Sequence, residues 1–182
     1  MSTFVPINDL CNLGCSFCGI RRASAATDEE LQGRLASVSE RRVTFGGGEP
    51  TVDERLAQLI AHASEGGASG VVVETNGVNA ADGTYARQLV AGGLTDVRLM
   101  LLSTRPETYE RIAGDPSACD LAWSGGLELQ RAGAAVSVVI PVCQANVSEL
   151  VELVDGVSER LPEVTTVTLR AVFFSRPDHE GP

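Results

Sequence analysis

Six short apolar runs alternating with amphipathic, helix-length segments leave this chain few ways to fold. The runs cover residues 3–7, 42–45, 70–74, 97–102, 135–142 and 164–174. Thr27-Asp28-Glu29-Glu30 forms a capping box ahead of Leu31, Leu35 and Val38 at helical spacing. Val52, Leu56, Leu59, Ile60 and Ala63 mark a second helix, stopped by Gly66-Gly67. Further helices are expected over 84–91, over 108–112 and, less regularly, over 117–132, where Gly125-Gly126 argues against continuity. Asn146 is expected to cap a last helix, with Glu149 three residues on and Val147, Leu150, Val151, Val154 and Val157 sharing a face. Strands alternating with helices imply parallel βαβ units with right-handed crossovers. The class is α/β, as an open doubly wound sheet or a barrel that stops short of eight units. At 182 residues one domain is expected, with a core over 1–174 and a polar, frayed tail over 175–182.

In either architecture ligands bind at the carboxyl ends of the strands. The chain's unusual residues fall just past those ends: Cys11-Asn12-Leu13-Gly14-Cys15-Ser16-Phe17-Cys18, then Gly46 to Pro50, Thr75-Asn76-Gly77, Ser103 and Cys143. Three cysteines in so short a loop converge naturally on a metal centre. Structural zinc and an ordinary [4Fe–4S] cluster each take four protein ligands, so three thiolates on a four-iron cluster leave one iron open. The glycine run allows a tight turn and a close backbone approach to a ligand, with Pro50 stiffening its exit. It lacks the Gly-Lys-Ser/Thr ending of a P-loop, which argues against a nucleoside triphosphate.

Composition narrows the partners. A formal net charge of -10 repels phosphate backbones, so no nucleic acid is expected, and the arginine pairs Arg21-Arg22 and Arg41-Arg42 read as solvated. No apolar run approaches the roughly 20 residues needed to span a membrane. The start lacks the charged and apolar regions of a signal peptide, and five cysteines do not read as a secreted disulfide framework. A reducing cytoplasm is the expected compartment.

Cys11-x3-Cys15-x2-Cys18, with Phe17 before the last cysteine, resembles the cluster loop of the radical S-adenosylmethionine (SAM) superfamily. Gly47-Gly48-Glu49-Pro50 resembles that family's GGEP motif, Thr75-Asn76-Gly77 its TNG element, and Ser103 the serine often found after the fourth strand. The resemblance runs from Thr3 to about Val172. It implies a partial (β/α)6 TIM-like barrel, with Cys11, Cys15 and Cys18 holding a [4Fe–4S] cluster whose fourth iron is chelated by SAM. It also implies an enzyme that cleaves SAM reductively to a 5′-deoxyadenosyl radical, fed by a low-potential donor such as flavodoxin or ferredoxin. On this reading Gly47, Gly48 and Glu49 (with Pro50 completing the motif) hold the methionine amino group. Phe17 and the backbone near Gly19 pack near adenine, and Asn76 and Ser103 reach the ribose or carboxylate of SAM. Thr104-Arg105 departs from the family pattern, and Val138 to Val142 lacks its glycine-rich fifth strand, so adenine contacts there would be apolar. No downstream cysteine cluster is present in the sequence. Elaboration after the sixth strand is slight, so the final covering helix is expected to be missing or replaced by a partner protein on the open barrel edge.

Cys143 is a candidate hydrogen-atom donor, set against a reading as a small buried hydrophobe. The same choice applies to Cys119, at a helix start where the dipole favours thiolate. Glu74 is either a ligand contact or a buried carboxylate. His62, His179, Trp123 and Tyr85 read as structural. The expected substrate is a peptide or natural-product precursor. The alternatives are a small molecule, a glycyl-radical activase role, or a non-catalytic iron–sulfur or zinc module or scaffold with Cys119 or Cys143 as fourth ligand.

Overall fold

The computed structural model describes residues 2–20, 25–36 and 41–172. Arg21, Arg22, Val38, His179 and the tail over 175–182 lie outside them. Six parallel strands form one sheet in sequence order. They are β1 (Ser2–Asn8), β2 (Arg42–Gly47), β3 (Gly70–Thr75), β4 (Asp96–Met100), β5 (Ala135–Val142) and β6 (Val167–Ala171). The connecting helices are α1 (Asp28–Leu35), α2 (Leu56–Glu65), α3 (Gly83–Ala91), α4 (Pro106–Ala113), α5 (Ala118–Ala132) and α6 (Leu150–Arg160). Unbroken sequence order with parallel pairing makes every connection a crossover of one hand, which lays all the helices on one face. The result is a partial TIM-type barrel, open between β1 and β6.

The core lies between that face and the helices. Val5, Ile7, Val43, Phe45, Val73, Leu99 and Ile140 from the strands meet Leu56, Ile60, Leu89, Trp123, Leu129 and Leu153 from the helices, all buried. On the other face alternate strand positions carry ion pairs, Arg42–Asp96 at 2.7 Å and Glu74–Arg98 at 2.6 Å. At the open edge β6 is largely solvent-exposed, with Leu169 at 53 % and Val151 of α6 at 77 %.

Local signals behave as their chemistry dictates. The Thr27 capping box forms in full, Glu30 N–H to Thr27 Oγ1 at 3.2 Å and Thr27 N–H to Glu30 Oε2 at 2.8 Å. Beside it the guanidinium of Arg55 grips both Asp53 oxygens, at 2.9 and 2.8 Å, and also reaches Asp28 Oδ1 at 2.6 Å and Ala26 O at 2.9 Å. This fork ties the start of α1 to the start of α2.

Two expectations change. Helix α5 runs unbroken through Gly125-Gly126. A Cβ on Gly125 would lie 1.9 Å from Gly77 O, and one on Gly126 would lie 2.5 Å from Leu99 Cδ2. The glycines are there so that α5 can press against the β3 exit loop and β4, a gain in packing that outweighs their low helix propensity. Asn146 makes no capping bond to α6. Its Nδ2 donates to Leu102 O and Pro141 O, both at 2.9 Å, and its Oδ1 accepts from Cys143 N–H, so it staples the exits of β4 and β5.

Gly125→Ala should therefore destabilise by at least about 1–3 kcal/mol in urea unfolding, as overpacking against a backbone carbonyl requires. The Arg55 fork makes a pH prediction. Hydrogen bonding to Arg55 holds the Asp53 carboxyl below its ordinary value. Its stabilisation is therefore complete above the unfolded-state value near ~3.9 and is lost as pH falls through the lower folded value. Asp53→Asn should flatten the acid limb of a stability–pH curve.

Candidate functional site

The exits of β1 and β2 are laced together by backbone. Gly48 N–H donates to Asn8 O at 2.7 Å, and Glu49 N–H to Leu10 O at 2.6 Å. Such spacing excludes side chains. Gly47 takes φ +120°, and a Cβ there would sit 2.3 Å from Asn8 O; on Gly48 it would sit 2.1 Å from Leu10 O. The close approach that the glycines permit is thus to the cysteine loop itself.

That loop is also fixed at its far end. Gly14 N–H donates to Ala113 O at 2.9 Å and Ser16 N–H to Ile112 O at 2.7 Å, so loop amides satisfy the last carbonyls of α4. Cys11 is left exposed, Cys18 partly so, and Cys15 buried; all three are free thiols. Burial, then the charges of Cys11 and Cys18, push the Cys15 thiol up to about 12. Burial also raises Cys11, against the Leu13 N–H that donates to its sulfur at 3.4 Å. Like charge among neighbouring thiols contributes to raising Cys11 and Cys15, and a cation would remove that repulsion on binding. Among the described residues no three His, Cys, Asp or Glu side chains are already gathered at metal-binding distance.

Glu49 joins a third strand exit to these two. Only 2 % exposed, its Oε1 accepts from Thr51 N–H at 3.0 Å and from the Thr51 and Thr75 hydroxyls, each at 2.6 Å. Its Oε2 accepts from Asn76 N–H at 2.7 Å. Burial raises the carboxyl despite these bonds. The Asn76 side chain is likewise engaged: Oδ1 accepts from Val78 N–H at 3.0 Å, and Nδ2 donates to Asn12 Oδ1 at 2.8 Å.

A cavity of about 500 Å³ opens beneath the loops. Cys11, Cys15, Cys18, Phe17, Gly47, Gly48, Glu49 and Asn76 all line it. Its sheet wall adds Glu74, Arg98, Met100, Val139 and Arg170. Glu74 is therefore no buried carboxylate; it pairs with Arg98 at the cavity wall.

Other expected site residues lie elsewhere. Gly19 and Pro50 are not in the lining, and Pro50 opens a short 3-10 turn over Pro50–Val52. Ser103 is fully buried outside the cavity, its hydroxyl donating to Glu149 and accepting from Arg105 N–H at 3.0 Å. Its hydroxyl is thus engaged with Glu149 and Arg105 rather than turned into the cavity. Cys143 is buried and also outside the lining. Cys119 is buried, and desolvation pushes it up to about 11, opposite to the expected effect of the helix dipole. Trp123 packs as expected, with Nε1 donating to Ser103 O at 3.0 Å.

Several participants carry no sequence signal of their own. The side chains of Asn12 and Asn79, neither of them singled out by the sequence, meet at 3.4 Å across 67 positions of chain. Glu149 read as a cap partner, yet it is buried and accepts from the Ser103 and Thr108 hydroxyls.

Comparison with known proteins identifies the family and the fold. Residues 5–155 match the family model described as the Radical SAM superfamily. The chain is 31% identical over 163 residues to Fe-coproporphyrin III synthase of Methanosarcina barkeri, covering 85% of this chain and 40% of that protein. It is 31% identical over 122 residues to PqqA peptide cyclase of Xanthomonas oryzae pv. oryzae, covering 63% of this chain and 32% of that one. Among solved structures, methylornithine synthase superposes with TM-score 0.77 at 16% identity, over 94% of this chain and 53% of its own. SuiB of Streptococcus suis bound to precursor peptide SuiA gives TM-score 0.75 at 16% identity, over 94% and 39%. The chain thus spans about half or less of the proteins it resembles.

Replacing Glu49 by Gln sets an amide donor against backbone N–H groups that need an acceptor. Loss of about 1–3 kcal/mol is expected in chemical denaturation.

Proposed function

The chain belongs to the radical SAM superfamily of enzymes, and we propose that its cysteine loop holds a [4Fe–4S] cluster on Cys11, Cys15 and Cys18, with SAM at the fourth iron. The observation that carries this reading is the single cavity shared by all three thiols, the glycine loop and the apolar strand positions. When bound, cluster and SAM supply reductive cleavage of the sulfonium to a 5′-deoxyadenosyl radical that removes hydrogen from a substrate.

The chain's own residues do the positioning. Because the amides of Gly48 and Glu49 are spent on the cysteine loop, the glycine loop has carbonyl oxygens to offer, the right polarity for the amino group of SAM. Glu49 acts behind it, keeping the exits of β1, β2 and β3 in one rigid unit. Phe17, Met100 and Val139 give adenine an apolar wall that excludes water. Ser103 and Cys143 are buried outside the cavity lining, and Gly19 and Pro50 flank it.

For substrate, we favour a peptide or natural-product precursor, with support from the peptide cyclase relative and from the structural neighbour bound to its precursor peptide. A small molecule is the second reading, favoured by a relative named GTP 3',8-cyclase from Peptoclostridium acidaminophilum, 31% identical over 119 residues. That match covers 59% of this chain and 36% of the relative. Either substrate would meet the Glu74–Arg98 pair and Arg170 on the sheet wall. The electron donor would be a flavodoxin- or ferredoxin-type protein in a reducing cytoplasm. No helix among the described residues is long and apolar enough to cross a membrane. The exposed β6 edge is where a covering partner would sit.

The test is anaerobic reconstitution with iron and sulfide, reduction with dithionite, and addition of SAM. 5′-Deoxyadenosine is expected from the native chain, and Cys15→Ala should reduce it to background. A four-iron preparation that yields none overturns the proposal.

A further inference from the structure

Three asparagine side chains, Asn76 and Asn79 from the connection between β3 and α3 and Asn12 from the cysteine loop, form a directed chain that ends at Cys11. Val78 N–H, at 3.0 Å, requires the oxygen of the Asn76 amide, so the nitrogen must turn the other way. That nitrogen donates to Asn12 Oδ1 at 2.8 Å and lies 3.9 Å from Cys11 Sγ. Asn12 Nδ2 then faces Asn79 Oδ1 at 3.4 Å, and Asn79 Nδ2 donates to Thr51 O at 3.0 Å. Each amide thereby fixes the rotamer and polarises the donor of the one before it. Asn76 is 3% exposed, so water does not compete for its N–H groups. Cys11 Sγ also lies 3.9 Å from Asn12 Oδ1, a contact in which only a protonated thiol can donate. As a thiolate the sulfur can only accept, and its two protein donors on the described residues are Leu13 N–H and Asn76 Nδ2–H.

We propose that Asn76 is a positioning residue that raises the reduction potential of the cluster by donating an N–H to Cys11 Sγ, with Asn12 and Asn79 holding its amide in that orientation. This rests on the reading of the cysteine loop as the cluster site. N–H donors to ligand sulfur stabilise the reduced, more negative cluster, so they make it easier to reduce. Asn76→Asp keeps the oxygen that meets Val78 N–H and replaces the donor with a carboxylate. Asn79→Ala leaves Asn76 intact and removes the far support of Asn12 together with the bond from Asn79 to Thr51 O.

The measurement is an EPR-monitored redox titration of reconstituted native, Asn76→Asp and Asn79→Ala chains, without SAM, so that any role of Asn76 toward SAM is silent. Iron content and urea midpoints are measured alongside. Asn76→Asp is expected to lower the reduced-to-oxidised ratio at fixed poise about tenfold, or about 59 mV for a one-electron couple. Asn79→Ala should shift it the same way, about threefold. Full iron content with unchanged potentials in both variants overturns the proposal. So would a change in urea midpoint alone, which is all that a purely structural role predicts. If Asn76→Asp does not assemble a cluster, the direction of the Asn79→Ala shift decides. If the native chain assembles none, the cluster reading itself fails, and this inference with it.

Discussion

The buried carboxylate of Glu49 is the interaction on which the upper half of this barrel depends. A charge in that position is costly away from water, and four donors from two different strand exits converge on it. The arrangement turns a local cost into a long-range constraint. Thr75 and Asn76 cannot move without stranding an acceptor, and Glu49 N–H keeps the cysteine loop fixed to the same unit through Leu10. The three loops that form the cavity rim therefore behave as one body.

How far this could be read from residues alone depends on what each residue type reveals. The strands were legible because apolar runs such as Val71-Val72-Val73 have a period and a length. The three cysteines stood out because their crowding in one loop points to a metal centre, and the structure places all three on one cavity. Glycine was half legible: its need for close approach was clear at Gly47 and Gly48, but sequence does not say what approaches. There it is a neighbouring carbonyl, and at Gly125 it is Gly77 O, which converts an apparent helix breaker into a packing contact. Asparagine was nearly mute. Asn12, Asn79 and Asn146 fit any loop, and their roles depend on partners 44 to 67 positions away. Ser103 is a related case. A strand-end hydroxyl can turn toward the cavity or toward the core, and the choice was made by Glu149, remote in sequence.

The electrostatics of the site follow from its construction. Cys11 and Cys15 are held where desolvation and neighbouring thiols favour the protonated form. A bound cluster would have to displace those protons, and the affinity of such a site rises with pH. Nearby, the ion pair of Glu74 with Arg98 gives the otherwise apolar sheet wall a polar patch with both signs of charge. Arg170 adds a further cation there, in a chain whose overall balance is strongly acidic.

Helix α4 deserves a different description from the one its position behind the sheet suggests. Its last carbonyls are satisfied by amides of the cysteine loop, so the end of the helix and the shape of the loop are a single cooperative unit. Whatever tightens the loop shields the final turn of α4 from solvent exchange, and whatever loosens it lets that turn fray. Because α4 also presents Tyr109 OH to Leu102 N–H at the exit of β4, the state of the loop is transmitted to the opposite side of the barrel mouth. The last turn of the helix and the shape of the cysteine loop are thus set together.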